Sequence, residues 1–202
     1  MFFITPISIQ GPWSIEKVIY EYEGLNAEYD ARLYEYLLAH SQEISGTYTA
    51  LRHDTRGVVD VNTPWTKLSY KGILGVLTGR VLLGGLRSGY FLDEVINAKL
   101  VFKNIKEIVV LESDKDLIDL VSPRFKNNKK IKIIHDDPQK CDPKKYGHFN
   151  VGWFDLWDTD NCTDIFSRIE TLVKWESSCD LLDAWRQDWV VFEAVRLGLI
   201  SG

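Results

Sequence analysis

The feature that most constrains this chain is a series of four short apolar runs, each ending on glycine or on acid. Val81-Leu82-Leu83 runs into Gly84-Gly85-Leu86-Arg87-Ser88-Gly89, and Glu107 to Leu111 runs into Glu112-Ser113-Asp114. Ile131 to Ile134 is followed by His135-Asp136-Asp137, and Asn150 to Leu156 carries Asp155 at its tip. Runs this short and this apolar suit strands buried on both faces. Helical patterns separate them: from about Tyr90, over Asp114 to Val121, and over Thr163 to Trp175, where Ile165, Ile169, Leu172 and Val173 recur at helical spacing. Strands alternating with helices predict an α/β protein built on a Rossmann-like, doubly wound, mostly parallel sheet. Cys179 to Leu199 reads as a final helix, so the sheet is expected to be shortened. The apolar face of that helix (Leu181, Leu182, Trp185, Trp189, Phe192, Val195) docks on the sheet or forms a homo-oligomer contact.

The chain before Pro64 has a different texture. Residues 1–64 are expected to form a small α+β extension, and 65–202 the sheet domain. Ser14 to Ala39 reads as helical, split near Gly24-Leu25-Asn26, with Asn26 as an N-cap. GTYTALRHDTRGVVDV alternates on both sides of Asp54-Thr55-Arg56-Gly57, which predicts a β-hairpin added at an edge of the sheet.

Composition narrows the partners. Hydrophobic residues are 45% of the 202 and charged residues 26%, enough for a substantial core. Lys+Arg 24 against Asp+Glu 29 gives a net charge of −5, which argues against a dedicated nucleic-acid binder. The three cysteines, Cys141, Cys162 and Cys179, fit neither a disulfide framework nor a metal site, and the four histidines form no HxxxH pair. No metal is expected, and a reducing, cytoplasmic setting is the simpler reading. MFFITPISIQ lacks the basic start of a signal peptide, and no apolar run nears the ~20 residues that span a bilayer.

In a sheet of this kind, ligands bind outside the carboxyl ends of the strands, near the point where strand order reverses. The glycine turn at Gly84, Gly85 and Gly89 lets the backbone bend sharply and approach a ligand, or serves packing alone. Glu112 can accept from both hydroxyls of a ribose, or stand as a solvated strand-end acid. A carboxylate at Asp136-Asp137 can accept from an adenine amine, although Asp-Asp-Pro is also turn chemistry. Asp155, flanked by Phe154 and Leu156, can act as a base, or bond local backbone. Three successive tips ending in acids would repel a pyrophosphate and tolerate a cationic ligand. A nucleoside carrying a sulfonium, S-adenosylmethionine or its decarboxylated form, fits that demand.

Taken together, NTPWTKL, GRVLLGGLRSGYFLDEV, IKEIVVLESDKDLIDLV, IKIIHDDPQK and FNVGWFDLWD resemble the class I S-adenosylmethionine-dependent methyltransferase fold. More narrowly, they resemble its spermidine-synthase-like branch. The resemblance covers about Asn62 to Asp158 and hardly touches the first part. It implies that the glycine turn holds the methionine moiety, that Glu112 is the ribose acid and that Asp137, preceded by Asp136, is the adenine acid. It also implies that Asp155 helps deprotonate an attacking amine. The chain departs from the family in three places: Arg87 replaces the central glycine of GxGxG, Asn150 stands where aspartate is usual, and no closing strands are read after Trp175. Arg87 either blocks the cofactor or pairs with its carboxylate.

Three functions follow from this reading. The leading one is a methyltransferase-like enzyme acting on a small molecule, with no nucleic acid or membrane partner and with Asp155 orienting or deprotonating the acceptor. The second is aminopropyl transfer to a polyamine, with Asp155, Asp158 and Asp160 holding the amine. The third, from another class, is a degenerate member that binds a nucleoside, or nothing, and works through protein contacts.

Overall fold

The computed structural model describes residues 2–20, 46–157, 164–185 and 187–200. Its centre is a parallel sheet of β5 (Gly79–Gly84), β6 (Ile105–Glu112), β7 (Ile131–His135), β8 (Phe149–Phe154) and β9 (Cys179–Ala184), in the order β7-β6-β5-β8-β9. The chain steps outward from β5 to β7, then returns to lay β8 on the other side of β5. Strand order therefore reverses between β5 and β8. This is a Rossmann-like α/β fold.

Side chains alternate between two cores, as strand geometry requires. Val81, Leu83, Ile108, Val110, Val151 and Trp153 enter one cluster, while Leu82, Val109, Leu111 and Phe154 enter the other. The helices that cover the sheet include α1 (Pro64–Ser69), α2 (Lys71–Leu74), α3 (Tyr90–Asn97), α4 (Lys99–Asn104), α5 (Lys115–Val121), α6 (Ile165–Glu176) and α7 (Gln187–Arg196). None of the described helices is long and apolar enough to cross a membrane.

A second sheet is antiparallel: β1 (Phe2–Gln10), β2 (Trp13–Tyr20), β3 (Gly46–His53) and β4 (Gly57–Val61), in chain order. The predicted hairpin is present as β3 and β4. It does not extend an edge of the parallel sheet; it pairs with β2 instead, in a register that sets Trp13 opposite His53 and Ile15 opposite Leu51. Trp13, Ile15, Leu51 and Val59 are buried in the same cluster as Val81 and Leu83. The small sheet thus packs on the large domain by its apolar face.

The helix expected from Ser14 is overturned as far as Tyr20. Trp13 and Ile15, two residues apart, are buried on one face, and pairing with β3 from Trp13 to Tyr20 makes this segment a strand; residues 21–39, Asn26 included, lie outside the described ones. The single C-terminal helix is also corrected. Cys179–Ala184 is a fifth parallel strand beside β8, and only Gln187–Arg196 is helical. Pairing with β8 decided this, which a local reading of apolar spacing does not see. In α6 the buried face is Ile165, Arg168, Thr171 and Trp175, whereas Val173 is 63% exposed. Arg168 is accommodated because its Nη1 donates to the Trp185 carbonyl at 2.8 Å and its guanidinium lies over the Trp157 ring.

Candidate cofactor site

The tips of the parallel strands are tied into one row by continuations of the sheet ladder. Gly85 N–H donates to the Leu111 carbonyl at 2.9 Å, Asp155 N–H to the Gly84 carbonyl at 2.8 Å, and Asp136 N–H to the Glu112 carbonyl at 3.1 Å. Above this row lies a cavity of about 390 Å³. Gly85, Arg87, Glu112, Asp137 and Asp155 line it from the parallel sheet, and Trp13, Leu51, His53, Arg56 and Val59 from the antiparallel one. The cavity is within the size range of small-molecule sites.

Glu112 is buried and serves local order. One oxygen accepts from Leu86 N–H and the other from Asp114 N–H, each at 2.9 Å. The carboxylate joins the glycine turn to the start of α5 and keeps lone-pair capacity for a ligand. Asp137 accepts from the backbone of Gln139 and pairs with Lys140 at 2.8 Å. Asp136, grouped with it by sequence, is not among the lining residues. It takes Lys145, the Tyr146 hydroxyl and Asp137 N–H, and the hydrogen bond from Lys145, then that from Tyr146, hold its carboxyl down at about 2.

The glycines of the turn are accounted for by packing. A Cβ on Gly84 would lie 2.3 Å from the Phe154 ring, and one on Gly89 would lie 2.8 Å from both Phe125 and Val121. At Gly85, φ is +96° and a Cβ would lie 2.3 Å from the Asp155 carbonyl oxygen. Arg87 is the one non-glycine residue among those described with positive φ, at 51°. Its Nε lies 3.4 Å from Asp155 Oδ1, with side-chain exposures of 13% and 10%, and its Nη2 donates to the Val59 carbonyl at 2.9 Å. Asp155 is therefore set beside a guanidinium, not alone among apolar neighbours. Asn150, the other departure from the family pattern, lies at the opposite end of β8. It accepts from Arg80 N–H and donates to Asp180, a structural role.

The contribution of the antiparallel sheet was not visible in the sequence. Trp13 Nε1 donates to Asp114 Oδ2 at 2.8 Å, while the other Asp114 oxygen caps α5 by accepting from Leu117 N–H. The Trp13 ring takes the edge of His53 at 4.7 Å and the Arg56 guanidinium at 4.6 Å. From β4, Asp60 accepts from the Ser88 hydroxyl and from Ser88 N–H. The small sheet is thus fastened to the glycine turn and to the β6 tip, and it roofs the cavity. Beneath the site, Tyr70 is fully buried; burial, then the nearby Asp155 and Asp60 carboxylates, push its hydroxyl far up. Trp153 and Trp175 belong to the two cores, and Trp175 Nε1 donates to the Pro138 carbonyl.

The residues present suit an adenosine bearing a cationic sulfur. Carboxylates from the β6, β7 and β8 tips face one hollow, Leu117, Pro138 and Leu156 give it apolar wall, and the Arg87 guanidinium is held at Asp155 and Val59.

No protein-family profile matches the chain, and no curated protein matches it in sequence. Solved structures do. A Plasmodium falciparum structure assigned as a protein-L-isoaspartate O-methyltransferase, in complex with S-adenosyl-L-homocysteine, is 24% identical, with a TM-score of 0.39; the match covers 49% of this chain and 51% of that one. An rRNA methylase from Streptococcus thermophilus is 14% identical, with 64% and 76% covered and a TM-score of 0.44. The N-methyltransferase NodS from Bradyrhizobium japonicum is 12% identical, with 58% and 64% covered and a TM-score of 0.45. The chain spans about half the length of the first of these. The strand order itself defines the fold.

Proposed function

We propose that the chain is an S-adenosylmethionine-dependent, methyltransferase-like enzyme acting on a small molecule. One observation carries this reading: Glu112, Asp137 and Asp155, from three successive strand tips, line a single roofed cavity with the glycine turn. When bound, S-adenosylmethionine supplies a methyl group on a positively charged sulfur that a nucleophile displaces. Glu112 receives the ribose hydroxyls, and Asp137 the adenine amine. Asp155 orients the acceptor or takes its proton. The net charge of −5 supports a small acceptor over a nucleic acid.

Aminopropyl transfer, as in the spermidine-synthase-like branch, asks Asp155 to hold a cationic amine. The guanidinium already beside it opposes that, and Asp158 and Asp160 lie outside the described residues. Calorimetric titration with S-adenosylmethionine and S-adenosylhomocysteine tests the reading. Saturable binding, weakened in Asp137→Asn, is expected. No heat and no thermal shift at millimolar ligand would leave the degenerate, contact-only reading standing. Release of methylthioadenosine from decarboxylated S-adenosylmethionine with putrescine would favour aminopropyl transfer.

A further inference from the structure

Arg87 holds a left-handed backbone conformation that glycine adopts without steric cost, so the position favours glycine and carries a long cation instead. Its side chain is not splayed to solvent. Nη2 is anchored from above on the Val59 carbonyl of β4 at 2.9 Å, and the guanidinium faces the cavity with Asp155 beside Nε at 3.4 Å. At 3.4 Å that Nε approach is long for a charge-assisted bond. The cavity wall is otherwise acidic, with Glu112, Asp114, Asp137 and Asp155. Of the cations in that wall, Arg56 lies over the Trp13 ring, on the roof. A ligand bearing a carboxylate therefore finds its counter-charge at the glycine turn in Arg87.

We propose that Arg87 is a selectivity residue. Its guanidinium takes the α-carboxylate of the methionine moiety, and the exchange of partners frees Asp155 to face the acceptor. This rests on the cofactor reading above and narrows it. The site would choose the carboxylated cofactor over the decarboxylated one, through an arginine fixed in place by the roofing sheet.

The test is calorimetry on the full chain with two ligands that differ only in the carboxylate: S-adenosylhomocysteine and its decarboxylated analogue, S-adenosyl-3-thiopropylamine. The unaltered protein is expected to bind the first at least about tenfold more tightly, the scale of one charge-assisted contact. In Arg87→Ala that ratio falls to near one. Arg87→Lys, which keeps the charge and loses the fork, gives an intermediate ratio. Equal binding of the two ligands by the unaltered protein would remove the Arg87 assignment and leave the cofactor reading standing. So would a ratio that survives in Arg87→Ala. Tighter binding of both ligands by that variant would show an obstructing arginine and also overturn the assignment. If neither ligand binds any of the proteins, the cofactor reading itself fails. Should Arg87→Ala not fold, the ligand pair on the unaltered protein decides.

Discussion

Single residues near the strand tips divide into those that face the cavity and those that secure the sheet beneath it. Asp136 and Asp137 are adjacent, yet only Asp137 lines the hollow, because Asp136 is taken by Lys145 and Tyr146. That engagement has a consequence for pH. The Asp136 carboxyl is lowered from the ordinary 3.8 to about 2 in the folded chain, so the unfolded chain takes up the proton first as pH falls. Its stabilising effect is complete above about pH 4 and is lost as pH falls through about 2. Glu107 and Asp180, whose carboxyls are lowered by hydrogen bonds from Lys132 and from His148, add to the same acid loss. In Asp136→Asn, thermal midpoints between pH 5 and 2 should fall less steeply than in the unaltered protein. Parallel curves for the two would show that the contact with Lys145 has no weight in the folded state.

At the scale of elements, the turn between β5 and α3 is shaped by what lies against it. Gly84 and Gly85 are neighbours, but an added methyl meets a ring at one and a backbone carbonyl at the other. The obstacle at Gly84 is a side chain, the buried Phe154 ring, so Gly84→Ala should cost about 1–3 kcal/mol as overpacking. Gly85→Ala should cost more, because the Asp155 carbonyl is fixed in the sheet ladder and φ there is +96°. Denaturant midpoints of the two variants order them, and equal losses would contradict the backbone argument. The same scale explains which face of α6 packs. Of the apolar residues at helical spacing, Ile165 and Leu172 pack inward while Ile169 and Val173 are exposed, and the buried face also contains Arg168, whose charge is met by the Trp185 carbonyl and the Trp157 ring.

For the whole molecule, the antiparallel sheet and the parallel domain act as roof and floor of one site. Their polar fastenings include Trp13 to Asp114, Asp60 to Ser88 and Arg87 to the Val59 carbonyl. Trp13→Phe keeps most of the apolar contact and deletes a hydrogen bond to a charged acceptor, worth ~1.5–3 kcal/mol. Amide exchange over Gly46–His53 and Gly57–Val61 should quicken in that variant, while β5 and β6 remain protected. A uniform change across both sheets would mean that they open as one unit.

The sequence by itself determined the parallel sheet and the acids at its tips. Buried strands leave continuous apolar runs, and chain reversal leaves glycine and acid at their ends; both are local signals, visible from Val81 to Asp155. The β3–β4 hairpin was legible for the same reason, through its alternation. Only the tertiary structure decided that Trp13–Tyr20 and Cys179–Ala184 are strands, because the first is held by pairing on both edges, with β1 and β3, and the second by pairing with β8. It alone placed Trp13, His53 and Asp60 at the site and set Arg87 against Asp155, since a side chain's partners depend on which surfaces the fold brings together, and no spacing in the sequence records that.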